Sequence, residues 1–150
     1  MKINGSLVKP NEEILVLPRM GGDLVIKACS VTTGTEFEAM VPDPVAPGIR
    51  TRDGFKPDTK DETYRAAVKR RESQRFAYMI LKSLEPSNIE WDKVSLDDPT
   101  TWTSWQDEMQ AAGLSGVETD RIIMCVMSAN SLDDEKLKAA RDLFLLGQAE

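Results

Sequence analysis

Three clusters in this chain hold side chains whose types and spacing can do chemistry. Asp133-Asp134-Glu135 offers three adjacent carboxylates to a cation. It lacks the alternating oxygen ligands and central glycine of a calcium loop. Just ahead of an apolar-periodic stretch, such acids fit the first turn of a helix, where the dipole favours negative charge. Lys69-Arg70-Arg71, with Arg65 and Arg75, offers cations to a phosphate backbone or an acidic partner. No aromatic side chain is interleaved there for base stacking, so the run reads as a solvated helix face. Gly21-Gly22 could cradle a phosphate, but neither a following helix nor a lysine at phosphate-loop spacing accompanies it. The pair reads as a hairpin turn.

What is missing narrows the chemistry further. The chain has no histidine, and its two cysteines, Cys29 and Cys125, stand far apart. Zinc sites and the Ser-His-Asp or Cys-His arrangements are therefore not expected. Hydrolysis by carboxylates alone is the one common enzymatic option left open. Both cysteines sit among apolar neighbours and are expected as buried free thiols in a reducing compartment. Neither a metal nor a cofactor is expected, and the chain reads as a non-enzyme. A net charge of -6 disfavours nucleic acid and anionic membranes. Met1-Lys2-Ile3-Asn4-Gly5 leads into no apolar signal segment, and no apolar run is long enough to span a bilayer.

Since reactive groups are scarce, the large apolar side chains become the candidates for function, and the elements that carry them matter most. The 150 residues divide into a β-rich segment over 1–41, a Pro/Gly-rich linker over 42–58 and a helical domain over 59–150. The predicted class is α+β: a small N-terminal antiparallel hairpin sheet joined to a bundle of about four helices. Asn4-Gly5 is a tight-turn signal. Glu13 to Leu17 reads as one strand and Asp23 to Val31 as its alternating partner, with Leu24, Ile26 and Ala28 on one face. Thr35 starts a short helix through Met40. Pro42, Pro44, Pro47 and Gly48 then break regular structure.

A long helix is predicted from about Thr59 to Leu84, exposed in its first half and buried in its second, with Pro86 ending it. Thr103 and Gln106 match a capping box, as do Ser115 and Glu118. Gly113 stops the helix between them. Ser131 caps a last helix that Gly147 ends. Links of about two or three residues predict that the last three helices pack on one another. On the last helix, Leu137, Ala140 and Phe144 form one stripe, and Leu132, Ala139, Leu143 and Leu146 lie nearly opposite. Two stripes predict burial at the bundle centre, or one stripe on the core and one on a partner. Trp102 and Trp105, three apart, read as core or as partner-facing anchors. The candidate partner-binding residues are thus Trp102, Trp105, Leu132, Leu143 and Leu146.

The chain also resembles the tail assembly chaperones of long-tailed bacteriophages. The resemblance lies in Met1-Lys2-Ile3-Asn4-Gly5 with its hairpin, in Phe76 to Leu84 followed by Ile89-Glu90-Trp91, and in Asp120 to Ile123 through Ala129-Asn130-Ser131-Leu132 to Leu137, Ala140, Arg141 and Phe144-Leu145. It implies a non-enzymatic protein of the host cytoplasm. Such a protein binds the tape measure protein, keeps it soluble while the tail tube forms, and is absent from the mature virion. The tail tube protein is a candidate second partner, and self-association to a homo-oligomer a further outlet for the apolar stripes. The alternative reading is another virion-assembly protein, such as a head–tail connector or tail-completion protein.

Overall fold

The computed structural model describes residues 1–149 as an α+β fold of three small antiparallel hairpins and five α-helices. Strands β1 (Lys2–Ile3) and β2 (Ser6–Leu7) close through Asn4 and Gly5. Both turn residues have positive φ, 50° and 80°. That is the two-residue geometry Asn-Gly favours, because its twist matches that of the strands. Strands β3 (Glu12–Leu17) and β4 (Leu24–Cys29) form the main hairpin, in a register that sets Leu15 across from Ile26. Its turn is the predicted one: the Gly22 N–H donates to the Arg19 carbonyl at 3.3 Å.

Alternation along β3 and β4 gives the hairpin two different faces. Leu17, Ile26 and Ala28 are buried against the helices. On the outer face Ile14, Val16 and Val25 stay exposed. Helix α1 (Thr35–Met40) presses Phe37 into the core.

The proline-rich stretch holds more order than the sequence predicts. Strands β5 (Gly48–Thr51) and β6 (Gly54–Pro57) make a third hairpin inside the segment expected as an irregular linker. Its turn uses Gly54 at φ +110. Pro57 ends the ladder at a strand terminus, where the missing amide does no harm.

Helix α2 (Glu62–Ser83) is the spine of the molecule. The Asp61 carboxylate caps it by accepting the Tyr64 N–H at 2.8 Å. Its second half buries Ala77, Tyr78, Ile80 and Leu81, and Pro86 follows its end inside a 3-10 turn, Glu85–Ser87. A second 3-10 segment, Pro99–Ser104, runs directly into α3 (Trp105–Ala111). Asp98 caps that segment, accepting the Thr100 N–H at 3.1 Å. The predicted Thr103–Gln106 box therefore does not form, because the chain is already helical at Thr103. The Gln106 amide instead donates to Thr119 Oγ1 at 3.1 Å.

Helix α4 (Gly116–Ala129) begins with the predicted capping box of Ser115 and Glu118. It buries Thr119, Ile122, Val126 and Ala129, a single stripe at helical spacing. The core is one cluster that joins the β3–β4 hairpin, α1, α2, α3 and α4. The segments over 1–41 and 59–150 thus share their hydrophobic interior.

Candidate functional site

A run of exposed large apolar side chains lies on α5 (Asp134–Ala149). Its origin is local. The chain leaves α4 through Ser131 at φ +57, and the Leu132 N–H turns back to the Met127 carbonyl at 2.9 Å. This left-handed stop ends α4. Ser131 therefore terminates one helix and does not cap the next. Asp133 does the capping, accepting the Lys136 N–H at 3.2 Å. Beyond this point α5 runs through Gly147, where the sequence predicts its end.

Among the described residues, the side-chain bonds that tether α5 lie in its first turn. Lys136 Nζ donates to Ser128 Oγ at 2.8 Å and meets Glu13 Oε1 at 3.4 Å. Every side chain from Asp134 to Gln148 is exposed. Leu143 is 70% accessible, and Leu132, Leu137, Phe144, Leu145 and Leu146 are all at least half accessible. The expectation that at least one stripe lies on the core is corrected: neither does. The short link does not fold α5 back, because the left-handed residue and the Lys136 anchor send it away from the bundle. Leu132, Leu143 and Leu146 thus stand where a partner can reach them. Leu137, Phe144 and Leu145 join them, although nothing in the sequence marks them for binding over their neighbours.

Trp102 and Trp105 are elsewhere. Trp102 is fully buried (0% accessible) and Trp105 nearly so. The Trp102 indole N–H donates to the Ser95 carbonyl at 3.0 Å. Its ring lies 5.2 Å from Tyr78 and 6.0 Å from Phe37, centroid to centroid. This aromatic cluster locks α1 and the 3-10 segment onto α2, so neither tryptophan faces a partner. Burial of the apolar ring with its single donor satisfied is the favourable arrangement.

The basic run is also partly reassigned. Arg71 is buried, not solvated. Its guanidinium pairs with Glu38 at 2.5 Å and Asp43 at 2.9 Å and stacks 5.1 Å above the Phe37 ring. Arg71 thus pins α1 and the following loop to α2. Lys69 and Arg70 remain exposed. Beside Arg71 a groove of about 660 Å³ runs between α2 and Asp43-Pro44, floored by Val68, Phe76 and Met79.

Cys29 and Cys125 are free thiols, half-buried and not fully so. Burial and the nearby Glu13 carboxylate push the Cys125 thiol up, which favours its protonated form. Among the described residues no group of three metal-capable side chains comes together, and no helix is long and apolar enough to cross a membrane.

The chain matches no protein-family model, no curated protein and no solved structure.

Proposed function

We propose that this protein is a tail assembly chaperone of a long-tailed phage, and that α5 carries the surface that holds the tape measure protein. One observation carries the reading: a 16-residue helix with leucines and a phenylalanine along its length has no covering element among the described residues. An isolated helix of that length is marginal in water. Exposed apolar area of this kind signals a missing polypeptide partner. A tape measure protein is a long helical chain with apolar stripes that aggregate until the tube covers them. Helix against helix is the recognition mode that fits both surfaces.

The acidic charge supports the same role. A body of net charge -6 stays dispersed while it carries an apolar client. Several weak contacts along one client also let tube subunits displace the chaperones one at a time.

The test is co-expression with the tape measure protein. The client is expected in the soluble fraction with this chain and in the pellet without it. Leu143→Asp with Leu146→Asp is expected to return the client to the pellet. A client equally soluble with and without this chain contradicts the proposal. Detection of this chain in purified virions would favour a connector or tail-completion protein instead.

A further inference from the structure

Strand β3 is an edge strand with one side unpaired. The Ser30 N–H donates to the Asn11 carbonyl at 2.9 Å, which fixes the alternation along the hairpin. Asn11, Glu13, Leu15 and Leu17 turn their backbone polar groups toward β4, and Glu12, Ile14 and Val16 turn theirs away. Among the described residues no hydrogen bond reaches the amide or carbonyl of those three. The opposite edge is plugged at its centre. Lys27 gives its outward N–H to Ser87 Oγ at 2.8 Å, and the same hydroxyl donates to the Lys27 carbonyl at 2.7 Å. The open edge carries its charges, Glu12 and Glu13, at one end, and it has no lysine, proline or bulge within it to guard against strand pairing. Ile14 and Val16, which line it, are 59% and 50% accessible.

We infer that β3 pairs antiparallel with β3 of a second copy of this chain, about a two-fold axis through Ile14. Pro10 and Pro18 each stand four residues from Ile14. The axis therefore lays Pro10 of each copy opposite Pro18 of the other, and the ladder stops at both ends where no donor exists. In this register Ile14 meets Ile14 and Glu12 meets Val16, so all three outward positions bond, for about six hydrogen bonds across the axis. Glu13 faces Leu15 of the other copy. An axis through Glu13 would set two carboxylates against each other, which is unfavourable. The product is a four-stranded sheet in the order β4-β3-β3-β4. Ser87 plugs Lys27 at the centre of each outer edge, which opposes further pairing into a fibre.

Crosslinking tests the register. In a Cys29→Ser, Cys125→Ser background, Ile14→Cys places two thiols opposite each other. Met20→Cys places them at opposite ends of the sheet, on the order of 40 Å apart. A short bifunctional thiol crosslinker is expected to capture the Ile14→Cys dimer about tenfold faster or more. Equal rates, or no capture, overturn the pairing. Ile14→Pro removes one outward donor and leaves the β3–β4 ladder whole. It is expected to sediment as a monomer with unchanged circular dichroism, where the wild type sediments as a dimer. A dimer that persists in the folded Ile14→Pro protein, or a wild type that stays monomeric, overturns the pairing as well. Should Ile14→Pro fail to fold, the crosslinking rates decide. No client takes part in these measurements, so their failure leaves the chaperone reading standing.

Discussion

At the scale of single residues, Arg19 and Glu118 tie the tip of the β3–β4 hairpin to the start of α4. Arg19 holds both carboxylate oxygens, at 2.5 and 2.8 Å, and Glu118 also accepts the Ser115 N–H at 3.1 Å. The guanidinium first, and then the capping hydrogen bond from Ser115, hold the Glu118 carboxyl down to about 2. A folded-state value below the ordinary 4.5 stabilises the fold above that ordinary value and ceases to do so as pH falls toward 2. The thermal unfolding midpoint of the wild type is therefore expected to exceed that of Glu118→Gln at neutral pH. The gap is expected to close between about pH 4.5 and 2. A gap that is constant across this range contradicts the assignment. The pair is partly exposed, so added salt is expected to shrink its contribution.

The buried and exposed large apolar residues separate just as sharply. Trp102→Ala removes the centre of the aromatic cluster and is expected to cost about 3–5 kcal/mol in denaturant unfolding. Leu143→Asp is expected to stay within about 0.5 kcal/mol of the wild type, because the side chain is 70% accessible and has little burial to lose. A large loss for Leu143→Asp would place that leucine in the fold and not on a binding surface.

Elements show which parts of the structure the sequence determines locally. The Asn4-Gly5 turn, the Gly21-Gly22 turn, the Ser115–Glu118 box and the break after Leu84 rest on a few adjacent residues, and they were legible. The Thr103–Gln106 box matched the same pattern and failed, since Asp98 and Pro99 start a helical segment earlier. A hairpin with only Ile49 and Phe55 as large apolar residues gave no periodic signal among the surrounding prolines. The trajectory of α5 was not legible either. Its two stripes look the same whether they lie in a bundle or in water. Ser131 in a left-handed conformation, which decides the direction, is a residue type more often found capping. Arg71 was hidden for a related reason: its partners Glu38 and Asp43 lie in another segment of the chain. Of the candidate site, Leu132, Leu143 and Leu146 could be read from the sequence. The tryptophans could be read as core or as partner-facing anchors, because spacing alone does not tell the two apart, and both lie in the core.

At the scale of the whole molecule, one core of hairpin and helices carries three projecting parts. The β1–β2 hairpin exposes Ile3 and Leu7, the β5–β6 hairpin exposes Ile49 and Phe55, and α5 exposes its leucines and Phe144. A chain built only to fold by itself has little use for so many uncovered apolar side chains. A body that works inside an assembly does, and on the proposed reading its own copies would lie along β3 and a client along α5. Such a division lets the core remain rigid while the outer elements are ordered by what they bind.

Hydrogen exchange of the α5 amides, in the free protein and in complex with the co-expressed tape measure protein, tests the central claim most directly. The free helix is expected to exchange rapidly, since nothing covers it, and to gain strong protection along Leu137 to Leu146 on binding. Unchanged exchange in α5 within a stable complex would contradict the account, because the client would then be held somewhere else.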